Sequence, residues 1–208
     1  MIKTLVATLC AAALAATATS AFAALKQGDT APDFKAAAAL AGKTFDFSLA
    51  DTLRRGPVVV YFYPAAFTGG CSIQAHSFAV NLAKFQAVGA SVVGVSLDKI
   101  GKLQAFSADP EACAGKIAVA SDVDGRIAKS YGLALSDTPA GRKDSRGDDI
   151  DHARVERTTF VIGRDGRIAA VVGGLAPQAN VEQALDAVSR SSDDAARITQ
   201  PEAQQNRR

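Results

Sequence analysis

The sequence predicts a single α/β domain in which helices flank a mixed central sheet. Continuous apolar segments of strand length, rich in β-branched and aromatic residues, alternate with segments whose apolar residues recur at helical spacing. Their order is β-α-β-α-β followed by β-β-α, which predicts parallel strands next to an antiparallel hairpin. Because the main strands are apolar throughout, we expect helices to cover both faces of the sheet.

The clearest strand signals are residues 58–63 (VVVYFY) and residues 91–97 (SVVGVSL). Weaker strand patterns occupy residues 45–47, 117–120, 158–163 and 166–172. Three helices are predicted from apolar residues three or four positions apart: Ala75, Phe78, Ala79 and Leu82 in the first, Leu103 and Phe106 in the second, and Val181, Leu185 and Val188 in the third. Together these elements define a predicted domain at residues 24–190.

Three segments lie outside this pattern. Residues 1–23 carry one charge, an apolar run and a small-residue ending, which is typical of a cleaved signal peptide. The run is too short and too rich in alanine for a transmembrane helix, so we expect an exported, periplasmic protein whose mature form is free of the membrane. Residues 137–156 are polar and predict a long loop, either disordered or functional. Residues 191–208 lack periodicity, and we expect a disordered tail.

Composition narrows the class of function. The 208 residues include 23 Lys and Arg against 21 Asp and Glu, a formal net charge of +2 without a basic stripe. This balance argues against binding to nucleic acid or to anionic lipid. Of the three cysteines, Cys10 falls in the signal segment, which leaves Cys71 and Cys113. In an oxidising compartment two cysteines suggest a disulfide, and composition leaves open whether it is structural or catalytic.

Cys71 occupies a position that favours chemistry. A buried strand ends at about Tyr63, a short loop carries Thr68 and the pair Gly69–Gly70, and a helix begins at about Cys71. Unpaired N–H groups and the helix dipole at such a position favour the thiolate. Glycines allow close approach of the backbone to a small anion, and the hydroxyl of Thr68 can donate or accept. The alternative is a buried cysteine that only packs in a helix.

Residues 64–71 (PAAFTGGC) match the signature P-x-x-x-T-x-x-C, so the chain resembles the peroxiredoxin family of AhpC/TSA type. The resemblance covers about residues 27–190 and includes residues 28–34, 95–98 and 157–162. It is nearest to the bacterioferritin comigratory protein, or PrxQ, group. The family implies a thioredoxin-like α/β fold and thiol-dependent reduction of hydrogen peroxide and organic hydroperoxides.

The resemblance also implies roles for the matching residues. Cys71 would be the peroxidatic nucleophile that becomes a sulfenic acid. Thr68 would hydrogen-bond the peroxide and the thiolate, Arg157 would stabilise the thiolate and polarise the O–O bond, and Pro64 would shield the site from water. No metal, flavin or haem is implied, because the thiolate is the redox centre. The expected partners are a peroxide and a thioredoxin-like or other thiol reductant, in a monomer or a homodimer.

The chain departs from its nearest relatives in how the oxidised thiol would be reset. The position five residues after Cys71, where a resolving cysteine often stands, is His76, and the third position is Gln74 rather than the common Glu. Cys113 is a possible resolving residue just beyond the second predicted helix. About nine helical residues span roughly 13 Å, whereas a disulfide needs Cα atoms within about 7 Å, so both segments would have to unfold locally. An external thiol, or a purely structural Cys113, remain the alternatives.

Two rival functions share this fold class. A disulfide oxidoreductase would need a C-x-x-C pair, and residues 72–74 (SIQ) supply no second cysteine. A non-catalytic thioredoxin-fold binding protein would hold its two cysteines in a permanent bridge. A metal site could in principle be built from four side chains in the 137–156 segment, which we interpret instead as a solvated loop: Asp148, Asp149, Asp151 and His152. We interpret His76 as a surface or half-buried histidine rather than an acid–base group.

Overall fold

The computed structural model describes residues 24–198; the predicted signal peptide and residues 199–208 lie outside the described part. It contains nine strands: β1 (Lys35–Leu40), β2 (Lys43–Ser48), β3 (Val58–Phe62), β4 (Ser91–Ser96), β5 (Ala118–Ser121), β6 (Leu135–Ser136), β7 (Arg154–Val155), β8 (Thr158–Ile162) and β9 (Ile168–Gly173). It contains five helices: α1 (Leu49–Leu53), α2 (Gly69–Ala87), α3 (Ile100–Ala108), α4 (Arg126–Ser130) and α5 (Pro177–Ile198).

Seven of the strands form one mixed sheet in the order β2-β1-β5-β4-β3-β8-β9. The three central strands β3, β4 and β5 are parallel, and β8 and β9 continue the sheet as an antiparallel hairpin. All residues of β3 and of β8 are buried, as their apolar composition predicts. The structure therefore confirms the mixed sheet and the hairpin that the sequence predicts.

Helices cover both faces of the sheet. The helices α2, α3 and α5 contribute to one apolar cluster that contains Phe78, Phe106 and Val181. The short helices α1 and α4 contribute Leu49 and Ala128 to a second cluster on the other face. Each fully buried large apolar side chain stabilises the fold by roughly 1.5–3 kcal/mol, so both layers contribute to stability.

The strand β1 was not predicted, because its sequence KAAAAL lacks both β-branched residues and alternation. It lies antiparallel between β2 and β5, and the side chains of Ala38 and Ala39 are fully buried there. Ala41 and Gly42 close the β1–β2 hairpin with positive φ angles of 50° and 76°, the conformation that a two-residue hairpin turn requires. Pairing with neighbouring strands therefore overrides the weak strand propensity of alanine.

One predicted boundary needs correction. Helix α5 extends to Ile198, so residues 191–198 are helical rather than part of a disordered tail. The 137–156 segment was expected to be a loop, either disordered or functional, and its residues 137–153 form an ordered connection from β6 to β7 that contains the bridge between Lys143 and Asp149. Among the helices of residues 24–198, none combines the length and the apolar content that a membrane span needs.

Candidate active site

Cys71 lies in the first turn of α2, directly after the loop that follows the central strand β3. Thr68 precedes the helix in an extended conformation, and the backbone N–H of Cys71 donates to the carbonyl oxygen of Thr68 at 2.9 Å. The residue is only 1% exposed. The structure thus places Cys71 as the sequence predicts, at the active-site end of the parallel strands.

Arg157 reaches Cys71 because β8 runs antiparallel to β3. In this register Thr158 pairs with Phe62, so the residue before β8 lies beside the carboxyl end of β3. The Nη2 atom of Arg157 donates to the Sγ atom of Cys71 at 3.4 Å. A guanidinium stays charged at all physiological pH values, so this contact places a fixed positive charge and a donor beside the sulfur.

Gly70 makes room for the Arg157 guanidinium. A Cβ atom at position 70 would lie 3.2 Å from Nη2 of Arg157 and 3.5 Å from Cγ of Pro177 at the start of α5. Such a contact is tight enough to displace the guanidinium. Gly69, by contrast, faces open space, so only the second glycine of the pair is required by close approach.

Thr68 and Pro64 belong to the active-site loop, residues 64–68, and both are half-buried. The Oγ1 hydroxyl of Thr68 donates its hydrogen to the carbonyl oxygen of Ala65 at 2.9 Å. Its lone pairs are then the part of the hydroxyl that can interact with a ligand. In this state Thr68 can accept a hydrogen bond from a hydroperoxide O–H but has no hydrogen to offer the sulfur.

Phe67 adopts an uncommon backbone conformation in this loop, with φ at 58°. A bulky residue in the left-handed region is strained, by about 1–3 kcal/mol, and persists only where its surroundings hold it. Its ring packs edge-on against Phe106 with centroids 5.1 Å apart. From the 137–156 loop, the backbone N–H of Ser145 donates to the Phe67 carbonyl at 2.8 Å, and the Arg146 guanidinium stacks 3.5 Å over the ring.

Asp98, just after β4, holds the active-site loop through a hydrogen bond to its backbone. Its buried carboxylate accepts the backbone N–H of Ala66 at 2.7 Å and the hydroxyl of Ser96 at 2.8 Å. It also contacts Nε2 of His152 at 3.0 Å. Burial alone would raise the pKa of Asp98, but hydrogen bonds from His152, Ala66 and Ser96 bring the pKa below its ordinary value. Asp98 therefore stays ionised and joins the active-site loop to the 137–156 loop.

The interpretation of the 137–156 segment as a solvated loop is wrong for His152. Burial lowers the pKa of His152, but the hydrogen bonds to Asp98 and to the Ala153 carbonyl outweigh it, and the pKa lies above its ordinary value. A second tie joins the loop to α3, because Lys102 Nζ lies 2.7 Å from the buried Oδ2 of Asp144. Both ties hold the loop against the active-site loop and α3.

The other acidic side chains considered for a metal site lie apart, each beside a cation. Asp148 lies 3.2 Å from Arg146, Asp149 lies 2.8 Å from Lys143, and Asp151 lies 2.7 Å from Lys99; these are nitrogen–oxygen distances. Within residues 24–198, three or more His, Cys, Asp or Glu side chains nowhere come together as a metal site would require.

Gln74 and Asn180 complete the site, and sequence reasoning missed both as functional residues. Nη1 of Arg157 donates to Oε1 of Gln74, and Nε2 of Gln74 donates to Oδ1 of Asn180 at 2.9 Å. Thr159 donates to the same Asn180 oxygen at 2.6 Å. The departure from Glu at position 74 was the available signal. Asn180 gave none, because its partner lies far away in the sequence.

Cys113 lies in the turn between α3 and β5 and is fully buried. The turn leads into β5, which lies parallel to β4, and β4 lies parallel to β3. Both cysteines are free thiols within one apolar cluster. Burial, and to a smaller extent the charge of Asp109, raise the pKa of the Cys113 thiol.

His76 is half-buried on α2, consistent with its interpretation as a surface or half-buried histidine rather than an acid–base group.

Comparison with known proteins assigns the chain and its fold to one family. The AhpC/TSA family profile matches residues 27–171. A Mycobacterium tuberculosis protein assigned to the peroxiredoxins is 38% identical over 144 residues, which cover 69% of this chain and 82% of the relative. Peroxiredoxin Bcp of Escherichia coli is 32% identical over 147 residues, covering 71% of this chain and 85% of that protein.

Solved structures agree with these relatives. The crystal structure of peroxidoxin BcpB from Mycobacterium tuberculosis superposes with a TM-score of 0.66 at 30% identity, covering 80% of this chain and 97% of the other. Peroxiredoxin Q of Xanthomonas campestris, at 20% identity, shares the fold with a TM-score of 0.58 and covers 75% of this chain and 90% of its own.

The chain belongs to the AhpC/TSA family of peroxiredoxins, and its fold is the thioredoxin-like fold of that family. It is accordingly a thiol peroxidase, an enzyme that reduces peroxides with electrons from thiols. This assignment decides against the two rivals, the disulfide oxidoreductase and the non-catalytic binding protein.

Proposed function

We propose that Cys71 is the peroxidatic cysteine of this enzyme and that Cys113 resolves it. The observation that carries the first part is a 3.4 Å contact: Nη2 of Arg157 lies beside Sγ of Cys71, which stands in the first turn of α2. A buried thiolate needs such a fixed donor, because an uncompensated charge is costly in an apolar environment.

The reaction begins when the thiolate of Cys71 attacks one oxygen of the hydroperoxide. An S–O bond forms, the O–O bond breaks, and the leaving oxygen takes a proton, which gives a sulfenic acid and water or an alcohol. Arg157 stabilises the charge that moves from sulfur to oxygen. The lone pairs of Thr68 orient the attacked peroxide by accepting its O–H, and Pro64 shields the loop from water.

The preferred substrate is hydrogen peroxide or a small organic hydroperoxide. Cys71 is 1% exposed, and the active-site loop is held by Asp98 from one side and by the 137–156 loop from the other. A bulky hydroperoxide could reach the sulfur only if these contacts opened. The restricted access therefore favours a small ligand.

Resolution by Cys113 closes the cycle. The Cys113 sulfur attacks the sulfenic sulfur, the S–S bond forms and water leaves, and an external thioredoxin-like or other thiol then reduces the disulfide. Within residues 24–198, Cys113 is the only cysteine besides Cys71. If residues 1–23 direct export to the periplasm, the reductant belongs to that compartment.

Peroxide consumption with several thiol donors tests the first part. The Cys71→Ser variant keeps the shape but removes the soft nucleophile, so turnover is expected to vanish while the circular dichroism spectrum stays that of the wild type. The assignment would be contradicted if Cys71→Ser kept turnover above roughly a few hundredths of the wild-type rate, because a serine hydroxyl is a far weaker nucleophile than a thiolate.

A further inference from the structure

Asn180 is a buried polar residue in the first turn of α5, and its side chain is fully enclosed. Its Nδ2 group donates to the carbonyl oxygen of Val172 at 3.1 Å, while its Oδ1 accepts from Gln74 and Thr159. Val172 and Thr159 face each other across β9 and β8. The pair of strands therefore clamps the amide of Asn180 on two sides.

The clamp fixes which end of each amide points where. The Val172 carbonyl can only accept, so it must face the Nδ2 of Asn180, and Oδ1 must then face Gln74. Gln74 therefore donates from its Nε2 group to Asn180, and this orientation directs its Oε1 toward Arg157. A reversed Gln74 would present an NH₂ group to the guanidinium, and two donors would oppose each other.

The chain of hydrogen bonds from Val172 through Asn180 and Gln74 to Arg157 ends at the sulfur of Cys71. Nη1 of Arg157 is held by Gln74, and Nη2 contacts Cys71. Because the guanidinium is planar, fixing one nitrogen fixes the direction of the other. All of the links between Val172 and Arg157 are uncharged, so the positive charge of Arg157 is not neutralised by a carboxylate at position 74.

We propose that Asn180 is a positioning residue that sets the amide orientation of Gln74 and thereby directs the Arg157 guanidinium at the Cys71 sulfur. The inference rests on the proposed role of Arg157 in peroxide reduction. It assigns to the C-terminal helix a part in the reaction that the P-x-x-x-T-x-x-C signature does not contain.

The first test replaces Asn180 in the purified protein. Asn180→Ala frees Gln74 to reverse, so the rate of Cys71 oxidation by hydrogen peroxide should fall about tenfold or more, since small misplacements can cost up to roughly 10²-fold. The rate profile should move to higher pH, and the ultraviolet absorbance of the thiolate at neutral pH should decrease. Asn81→Ala, an asparagine on α2 bonded only to the Ser77 carbonyl, is the matched control and should react as wild type.

The second test repeats the change in a Gln74→Glu background. A carboxylate presents oxygen to Arg157 in either orientation. Adding Asn180→Ala to Gln74→Glu should therefore leave the oxidation rate of the Gln74→Glu protein unchanged or raise it. If the alanine variant fails to fold, Asn180→Leu retains most of the volume and carries the same two expectations. An equal loss in both backgrounds, or a wild-type rate in Asn180→Ala, overturns the inference.

Arg157→Ala distinguishes a failure of the proposed role of Arg157 from a failure of the role of Asn180. If Arg157→Ala leaves both the thiolate absorbance and the oxidation rate unchanged, the proposed role of Arg157 is wrong. If Arg157→Ala loses both but Asn180→Ala loses neither, Arg157 keeps its role and only the assignment of Asn180 falls.

Discussion

At the scale of single residues, the site depends on one planar side chain that serves two partners. Nη1 of Arg157 contacts Gln74 and Nη2 contacts Cys71, and Gly70 leaves just enough space for this fork. A lysine could place a charge near the sulfur, but its ammonium cannot hold both partners with fixed geometry. The direction of the donor therefore matters in addition to its charge.

Arg157→Lys tests this distinction. The charge is kept and the fork is lost, so kcat/KM for hydrogen peroxide should fall about 10²-fold, as for other lost transition-state donors. The midpoint of thermal unfolding should change little, because the residue contributes no large apolar surface. Stopped-flow oxidation of Cys71 provides the rate, and a lysine variant as fast as the wild type would show that charge alone suffices.

The sequence predicts some of these residues and not others, for a physical reason. Cys71, Thr68 and Arg157 were identified because they belong to a recognisable family pattern next to a strand. Asn180 bonds to Gln74 across 106 positions of sequence. Neither periodicity nor local spacing carries information on such a contact, because only the packing of α5 against α2 creates it.

At the scale of elements, the 137–156 loop shows how a polar segment becomes ordered without a core of its own. Its only two large apolar residues, Ile150 and Val155, are buried, and ties to Asp98, Lys102 and Phe67 hold the rest. These three partners lie just after β4, on α3 and in the active-site loop. Polar composition therefore predicts a loop correctly but leaves its order undetermined.

The pair of His152 and Asp98 makes this order depend on pH. The pKa of His152 lies above 6.5, so the stability it contributes is complete below 6.5 and is lost as pH rises through the raised value. The pKa of Asp98 lies below 3.8, so its contribution is complete above 3.8 and is lost as pH falls through the lowered value. The His152–Asp98 pair should therefore stabilise the loop most between pH 3.8 and pH 6.5.

Amide exchange of residues 137–156 is expected to quicken as pH rises above 6.5, beyond the intrinsic pH effect, because His152 then loses its proton. The loss is partial, because Lys102 Nζ also lies 3.9 Å from Asp98. His152→Gln should remove the extra pH dependence. His76→Gln changes the other of the two histidines in the chain and should leave it intact. Identical exchange in both variants would contradict the role of His152.

The strands show a similar limit of prediction. The main strand β4 was predicted despite Gly94, and the structure explains this glycine, since a Cβ there would lie 2.5 Å from the ring of Tyr61. The alanine-rich β1 escaped prediction because its burial results from pairing with β2 and β5. Apolar β-branched composition thus reveals central strands, while strands that depend on neighbours need the fold itself.

At the scale of the whole molecule, the two cysteines lie in one continuous apolar cluster but on different elements, Cys71 in α2 and Cys113 in the turn between α3 and β5. Aromatic rings fill the space between the active-site loop and α3, including the stack of Tyr63 on Phe106 with centroids 5.7 Å apart. Both thiols are free and buried in this layer, so its packing must change before Cys71 and Cys113 can join within the narrow geometry of a disulfide. If Cys113 resolves Cys71 as proposed, the cycle couples peroxide reduction to local unfolding.

One equivalent of hydrogen peroxide should convert the protein to a form without free thiols that contains a Cys71–Cys113 bridge, detected by peptide mapping. Its formation should speed amide exchange in the first turn of α2 and in residues 109–115, because both segments leave their packed positions. Cys113→Ser should stop at the sulfenic acid, proceed to the sulfinic acid with excess peroxide, and keep the slow exchange of the reduced protein. Non-reducing gels distinguish a bridge within one chain from a bridge between two. Continued turnover with Cys71 oxidised and Cys113 free would instead establish a one-cysteine cycle, in which an external thiol attacks the sulfenic acid directly and the apolar layer stays closed.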